Sequence, residues 1–85
     1  MTKKHIIVSG GSRGLGQALV AGLLESGYRV STFSRSSTTF TDEMFKREDF
    51  FFQPADVSQA GPIDKFVETA VGLFGRPFGL INCAG

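Results

Sequence analysis

Ser9-Gly10-Gly11-Ser12-Arg13-Gly14-Leu15-Gly16 lies between an apolar run, His5-Ile6-Ile7-Val8, and a stretch, Leu15 to Leu24, whose apolar residues recur at helical spacing. A strand that breaks into a glycine-rich turn and then into a helix leaves few folds open. The glycines let the main chain turn tightly and come close to a ligand, and the new helix aims unpaired N–H groups and a positive dipole at it. The segment therefore reads as a phosphate cradle. A tight turn that binds nothing is the plain alternative, but it would not require four glycines in seven positions.

The rest of the chain alternates between short β-type runs and helical periods. His5–Val8 reads as a short buried strand, and Leu15, Ala18, Leu19, Leu23 and Leu24 form a helical face that Gly27 is placed to stop. Tyr28 to Phe33 is β-branched and aromatic, a second strand. Arg35 to Thr41 is hydroxyl-rich and reads as loop, followed by a short helix from about Asp42 to Arg47. Phe50-Phe51-Phe52-Gln53 makes a third strand, with Pro54 at its end, where an edge position tolerates the missing N–H. Pro62 can begin a helix whose apolar face (Ile63, Phe66, Val67, Ala70, Val71, Phe74) runs to Gly75, and Phe78-Gly79-Leu80-Ile81 is a fourth strand. Strands alternating with helices imply right-handed crossovers and a parallel sheet with helices on both faces. The expected fold is α/β: the first four strands, β-α-β-α-β-α-β, of a doubly wound, three-layer Rossmann-type domain spanning residues 1–85.

Composition narrows the function. A net charge of +1 leaves no electrostatic footprint for nucleic acid or an anionic membrane. One cysteine excludes an internal disulfide and suits a reducing compartment. The apolar run after Lys3-Lys4 is too short for a signal-peptide core or a membrane span, so a cytoplasmic location is expected.

Spacing narrows the turn. A Walker A loop needs Lys and then Ser or Thr after its last glycine, and here Gln17 and Ala18 follow Gly16. The G-x-G-x-x-G pattern fails as well, because Gly14-Leu15-Gly16 is followed by Gln17-Ala18-Leu19. What remains is Ser9-Gly10-x-x-x-Gly14-x-Gly16. This resembles the T-G-x-x-x-G-x-G cofactor motif of the short-chain dehydrogenase/reductase family, in its compact single-domain branch, with Ser9 in place of Thr. Two more motifs follow in the family's order: Asp56-Val57 after the third strand is similar to its D-V pair, and Asn82-Cys83-Ala84-Gly85 to its N-N-A-G. The resemblance implies an oxidoreductase moving a hydride between nicotinamide and a carbonyl or alcohol. Ser9, Gly10, Ser12, Arg13, Gly14, Leu15 and Gly16 are then the turn that meets the cofactor.

The residues also speak to the choice of cofactor. An NAD site places Asp or Glu at the end of the second strand, whereas this chain has no acidic residue from Tyr28 to Thr41. Arg35 stands there instead, flanked by Ser34 and Ser36, and Arg13 lies inside the turn beside Ser12. Guanidinium groups bind phosphate through paired, charge-assisted hydrogen bonds, so NADP(H) is expected, with Arg13 and Arg35 as the discriminating cations and Ser12 and Ser34 or Ser36 in support. The bland alternative makes both arginines solvated surface residues.

The resemblance assigns Asp56 and Val57 to the adenine, and Asn82, Ala84 and Gly85 to bridging and to the cofactor wall. A loop carboxylate that starts a helix is the other reading of Asp56. Cys83 departs from the family pattern and is expected to be a small buried residue, and His5 to be structural. The family's Tyr-x-x-x-Lys and its serine lie beyond the fourth strand, and Tyr28 is followed four residues on by Thr32, so no catalytic residue and no metal site are expected here. These 85 residues are expected to hold a cofactor and not to turn over alone, their partners being the nicotinamide cofactor and the remainder of the enzyme or a complementing chain. Intact family members are usually homo-oligomers. The turn, Arg35 and Asn82–Gly85 most resemble 3-oxoacyl-(acyl-carrier-protein) reductases of fatty acid biosynthesis; a non-catalytic nucleotide-binding or interaction module is the other reading.

Overall fold

A computed structural model describes residues 3–56 and 58–83. Its elements are β1 (His5–Ser9), α1 (Gly14–Glu25), β2 (Arg29–Ser34), α2 (Thr39–Met44), β3 (Phe50–Pro54), α3 (Ala60–Phe74) and β4 (Pro77–Asn82). The strands form one parallel sheet in the order β3-β2-β1-β4, as strand–helix alternation requires. β3 is an edge strand, and Pro54 ends it, where its missing N–H interrupts no ladder.

Two faces of the sheet bury two cores. β1 is buried at all five positions, and its side chains alternate. Ile6 and Val8 meet Val20 and Leu24 of α1, together with Val30, Phe50 and Phe52, and Phe40 and Met44 of α2 pack at the margin of this cluster. Ile7 points the other way, to Phe33, Ala55 and the α3 residues Phe66 and Ala70. The Phe66 ring is fully buried, 4.9 Å from Phe33 and 5.7 Å from Phe51. Burying one such side chain contributes about 1.5–3 kcal/mol, so the phenylalanine run serves the core.

Helix ends follow local chemistry. Gly27 adopts φ 91°, and the N–H groups of Gly27 and Tyr28 donate to the carbonyls of Leu24 and Leu23, which stops α1 where the glycine stands. α2 departs from the sequence expectation: it spans Thr39–Met44, three residues earlier than Asp42–Arg47. Thr38 and Thr41 form a reciprocal capping box, and Thr41 is fully buried, so the hydroxyl-rich stretch expected as loop starts the helix instead. α3 begins at Ala60, which puts Pro62 in the first turn, where a backbone N–H has no helical partner anyway.

His5 is structural, as expected. It is 2% exposed, and Nδ1 lies 2.9 Å from the Gly75 carbonyl, which can only accept and so fixes the proton on Nδ1. Nε2 then accepts from Ser31 Oγ at 2.7 Å. One imidazole thus ties β1 to β2 and to the end of α3. On β4 the register with β1 shifts between His5 and Ile6, and Phe78, 65% exposed, lies under the Lys4 ammonium, 4.0 Å from its ring centroid.

Candidate functional site

The chain moves from β1 outward through β2 to β3, then returns across β1 to β4. Strand order therefore reverses between β1 and β4, and the carboxyl ends of the strands open a crevice there, where open α/β sheets hold ligands. Every described candidate residue sits at that end: Ser9 to Gly16 after β1, Ser34 to Ser36 after β2, Asp56 after β3 and Asn82 at the end of β4. Tyr28, by contrast, precedes β2 at the opposite end.

The turn is built by close approach. A Cβ on Gly16 would collide with the Gly10 carbonyl oxygen, so α1 can lie against the turn only with hydrogen at that position. Gly14 has φ 61° with open space around its missing Cβ, so conformation alone demands glycine there. Gly10 N–H donates to Phe33 O at 2.8 Å, which holds the turn on the sheet. The N-cap of α1 is Arg13, whose side chain makes no cap hydrogen bond, and the first turn carries no acidic residue. Gly14 and Leu15 are exposed, Leu15 at 81%, so the helix presents its first N–H groups and positive dipole to the crevice with no carboxylate of that turn in competition.

Sequence reasoning missed Thr32 and Gly11. The Thr32 hydroxyl is fully buried, donates to Val8 O at 2.5 Å and accepts from Gly11 N–H at 2.9 Å. A Cβ on Gly11 would strike that same hydroxyl. Thr32 therefore shapes the turn from beneath, and a β-branched residue in a β-branched run gave no sign of it.

Arg13 and Arg35 are exposed, and among the described residues neither has a carboxylate within 4.0 Å. Ser34 is half-buried, with Oγ donating to Ser36 O at 2.9 Å; Ser36 is exposed, whereas Ser12 is 3% exposed. The N-cap position of α3 is Gln59, whose side chain makes no cap hydrogen bond, and Asp56 lies in the loop before it. Its Oδ1 accepts from Ser58 N–H at 2.9 Å and from Ser58 Oγ at 2.8 Å. These bonds, with the charge of Arg35 nearby, hold its carboxyl below the usual carboxylate range.

Asn82 bridges β1 and β4: Ser9 Oγ donates to its Oδ1 at 2.6 Å. The Cys83 N–H adds bonds to Ser9 O (3.0 Å) and Ser9 Oγ (3.2 Å), and Cys83 is partly buried against the α1-side core. Val57, Ala84 and Gly85 lie outside the described residues. No group of three His, Cys, Asp or Glu able to hold a metal occurs among the described residues, and no described helix is long and apolar enough to cross a membrane.

A family model described as short chain dehydrogenase matches residues 4–85. The rhamnolipids biosynthesis 3-oxoacyl-[acyl-carrier-protein] reductase of Pseudomonas aeruginosa is 34% identical over 82 residues, 93% of this chain and 32% of that protein. A Bacillus thuringiensis protein assigned as a 3-oxoacyl-reductase superposes with a TM-score of 0.88 at 34% identity, over 98% of this chain and 36% of that one. Two structures with cofactor bound are also similar, each at 26% identity. A Leptospira borgpetersenii short chain dehydrogenase with NAD+ has a TM-score of 0.82 and covers 100% of this chain and 32% of its own. ElxO with NADP has a TM-score of 0.80, with coverages of 99% and 36%. The chain thus spans well under half the length of the proteins it matches.

Proposed function

The chain belongs to the short chain dehydrogenase family of oxidoreductases, and from that premise we propose that it forms the cofactor-binding part of an NADPH-dependent carbonyl reductase. The observation that carries the choice of NADPH is the pair of exposed guanidiniums, Arg13 and Arg35, at the crevice without ion-pair partners among the described residues. No carboxylate stands between Tyr28 and Thr41 to repel a 2′-phosphate or to bind a bare ribose.

The residues present fit such a cofactor. The turn from Ser9 to Gly16 has no Cβ where backbone meets backbone, and the open end of α1 gives N–H donors for a pyrophosphate. Arg13 and Arg35, with Ser12 and Ser34 or Ser36, would hold the 2′-phosphate. Asp56, oriented through Oδ1 by Ser58, would accept from the adenine amine, with the Val57 amide beside it. Asn82, Ala84 and Gly85 would line the wall near the nicotinamide ribose. When bound, the nicotinamide supplies the hydride that reduces a carbonyl to an alcohol. The proposed substrate is a 3-oxoacyl thioester carried on acyl carrier protein, a reading supported by the names of two relatives, and NADPH consumption with an acetoacetyl thioester tests it.

Fluorescence titration with NADPH and NADH tests the cofactor assignment. NADPH should bind at least about tenfold more tightly, the difference expected for one well-formed guanidinium–phosphate contact. Arg35→Asp should move the preference toward NADH. Tighter NADH binding by the unaltered protein would sink the assignment.

A further inference from the structure

Arg13 and Arg35 sit on different loops, 22 residues apart in sequence, and two flexible cations bind one phosphate well only if their loops are held together. Among the described residues, one side chain hydrogen-bonds from one loop to the other. Thr38 Oγ1 donates to the Ser12 carbonyl at 2.8 Å, linking the residue just before Arg13 to one three positions after Arg35. A hydroxyl has one proton, and here it is committed to Ser12. The Thr38 oxygen still accepts from Thr41 N–H at 3.4 Å.

Thr38 itself is fixed from the other side. Its N–H donates to Thr41 Oγ1 at 2.8 Å, Thr41 Oγ1 donates back to the Thr38 carbonyl at 3.0 Å, and Thr41 is fully buried. Ser12 is almost as buried, at 3% exposure. The hydrogen bond thus spans two anchored points, while the arginines beside it project into solvent. A helix cap needs only the acceptor half of the Thr38 hydroxyl; the donor half, aimed at the glycine turn, adds nothing to α2.

We propose that Thr38 is a positioning residue for cofactor choice, its hydroxyl clasping the glycine turn to the loop after β2 so that Arg13 and Arg35 converge on the ribose 2′ substituent. The proposal rests on the NADP(H) reading above. It makes selectivity depend on a residue that need not touch the cofactor.

The test is titration of the protein and its variants with NADPH and NADH, following bound-cofactor fluorescence. Thr38→Val keeps the side-chain shape and loses the hydroxyl; it should lower the NADPH-to-NADH affinity ratio roughly fivefold, the worth of one net hydrogen bond, with NADH affinity unchanged. Thr38→Ser should restore the ratio. Thr41→Val removes the two bonds that anchor Thr38 from α2 but leaves the Thr38–Ser12 bond, so it should lower the ratio by clearly less than Thr38→Val does. Should Thr38→Val fail to fold, Thr38→Gly removes the hydroxyl with a residue that N-caps tolerate, and the same fall is expected. An unchanged ratio in Thr38→Val, equal loss of both cofactors, failure of Thr38→Ser to restore, or an equal fall in Thr41→Val would each overturn the clasp. If the unaltered protein prefers NADH, the NADP(H) reading falls and takes the clasp with it. If it prefers NADPH and Thr38→Val leaves that preference intact, the clasp alone falls.

Discussion

His5 shows how much one buried side chain can constrain this sheet. Burial holds its pKa below the ordinary 6.5; the Gly75 carbonyl acts in the opposite direction, and the charge of Arg29 adds to the lowering. The unfolded chain therefore takes up a proton on His5 at a higher pH than the folded chain does. The stability this creates is fully present above the ordinary imidazole value and is lost as pH falls through the lowered one. Melting temperature should accordingly drop between pH 7.5 and pH 5. His5→Gln should melt lower at pH 7.5, with Gly75 and Ser31 left poorly paired at about 1–3 kcal/mol, and should show a flatter slope across that window. A variant with the slope intact would shift the pH dependence to another group. Asp49 is not that group: the Arg47 guanidinium, bonded to it at 2.9 and 3.0 Å, lowers its pKa from 3.8, so its contribution disappears only at more acidic pH. The same single-residue logic applies to Gly16. Gly16→Ala would push α1 off the Gly10 carbonyl and should abolish measurable cofactor binding while destabilising the fold by about 1–3 kcal/mol.

Among the elements, those that were legible in the sequence are those whose signal is local. The end of α1 needed only Gly27, because no other residue adopts φ 91° at so little strain; Gly27→Ala should lower stability by about 1 kcal/mol in chemical denaturation without altering the sheet. β1 and β3 were legible as short apolar runs, and Pro54 identified the edge because proline cannot serve a central ladder. The glycine turn was legible for the same reason: Gly14 and Gly16 answer to backbone geometry within a few residues of themselves. α2 was misplaced because its start is decided by two threonine hydroxyls that bond each other, and a Thr-Thr-Phe-Thr run reads as loop until Thr41 is seen to be buried. Thr32 was invisible for a stronger reason. Its hydroxyl reaches Val8 and Gly11 only because β1 and β2 pair with Val8 opposite Thr32, and that register is a property of the assembled sheet. Thr38 belongs to the same class, since its partner lies 26 residues away.

For the molecule as a whole, the described helices cover one face of the sheet and only part of the other. α1 and α2 cover the face that carries Ile6 and Val8, whereas on the opposite face α3 covers β2 and leaves β4 open. Leu80 is 68% exposed there, Val67 and Val71 of α3 are 38% exposed, and a cavity of about 470 Å³ separates helix and strand, lined by apolar side chains such as Ile7, Phe33 and Ile63. The sheet's own handedness says what fits. The chain passes from β3 to β4 across β1 with its helix on this face, so a right-handed crossover from β4 to a further parallel strand in the same direction lays its helix on this face too. Such a helix would cover Leu80, Val67 and Val71, and the new strand would pair the free side of β4. Without that cover, an apolar face bordering an unpaired parallel edge is a site for self-association. The 85-residue chain alone should therefore bind a hydrophobic dye such as ANS and elute above its monomer mass, and Leu80→Lys should reduce both effects while leaving the α1-side core intact. A chain extended by such a helix and strand should bind little dye and should be insensitive in solubility to salt that strengthens apolar contacts. A monodisperse 85-residue monomer with a cooperative, reversible melt and no dye binding would show that α3 and β4 are complete as they stand.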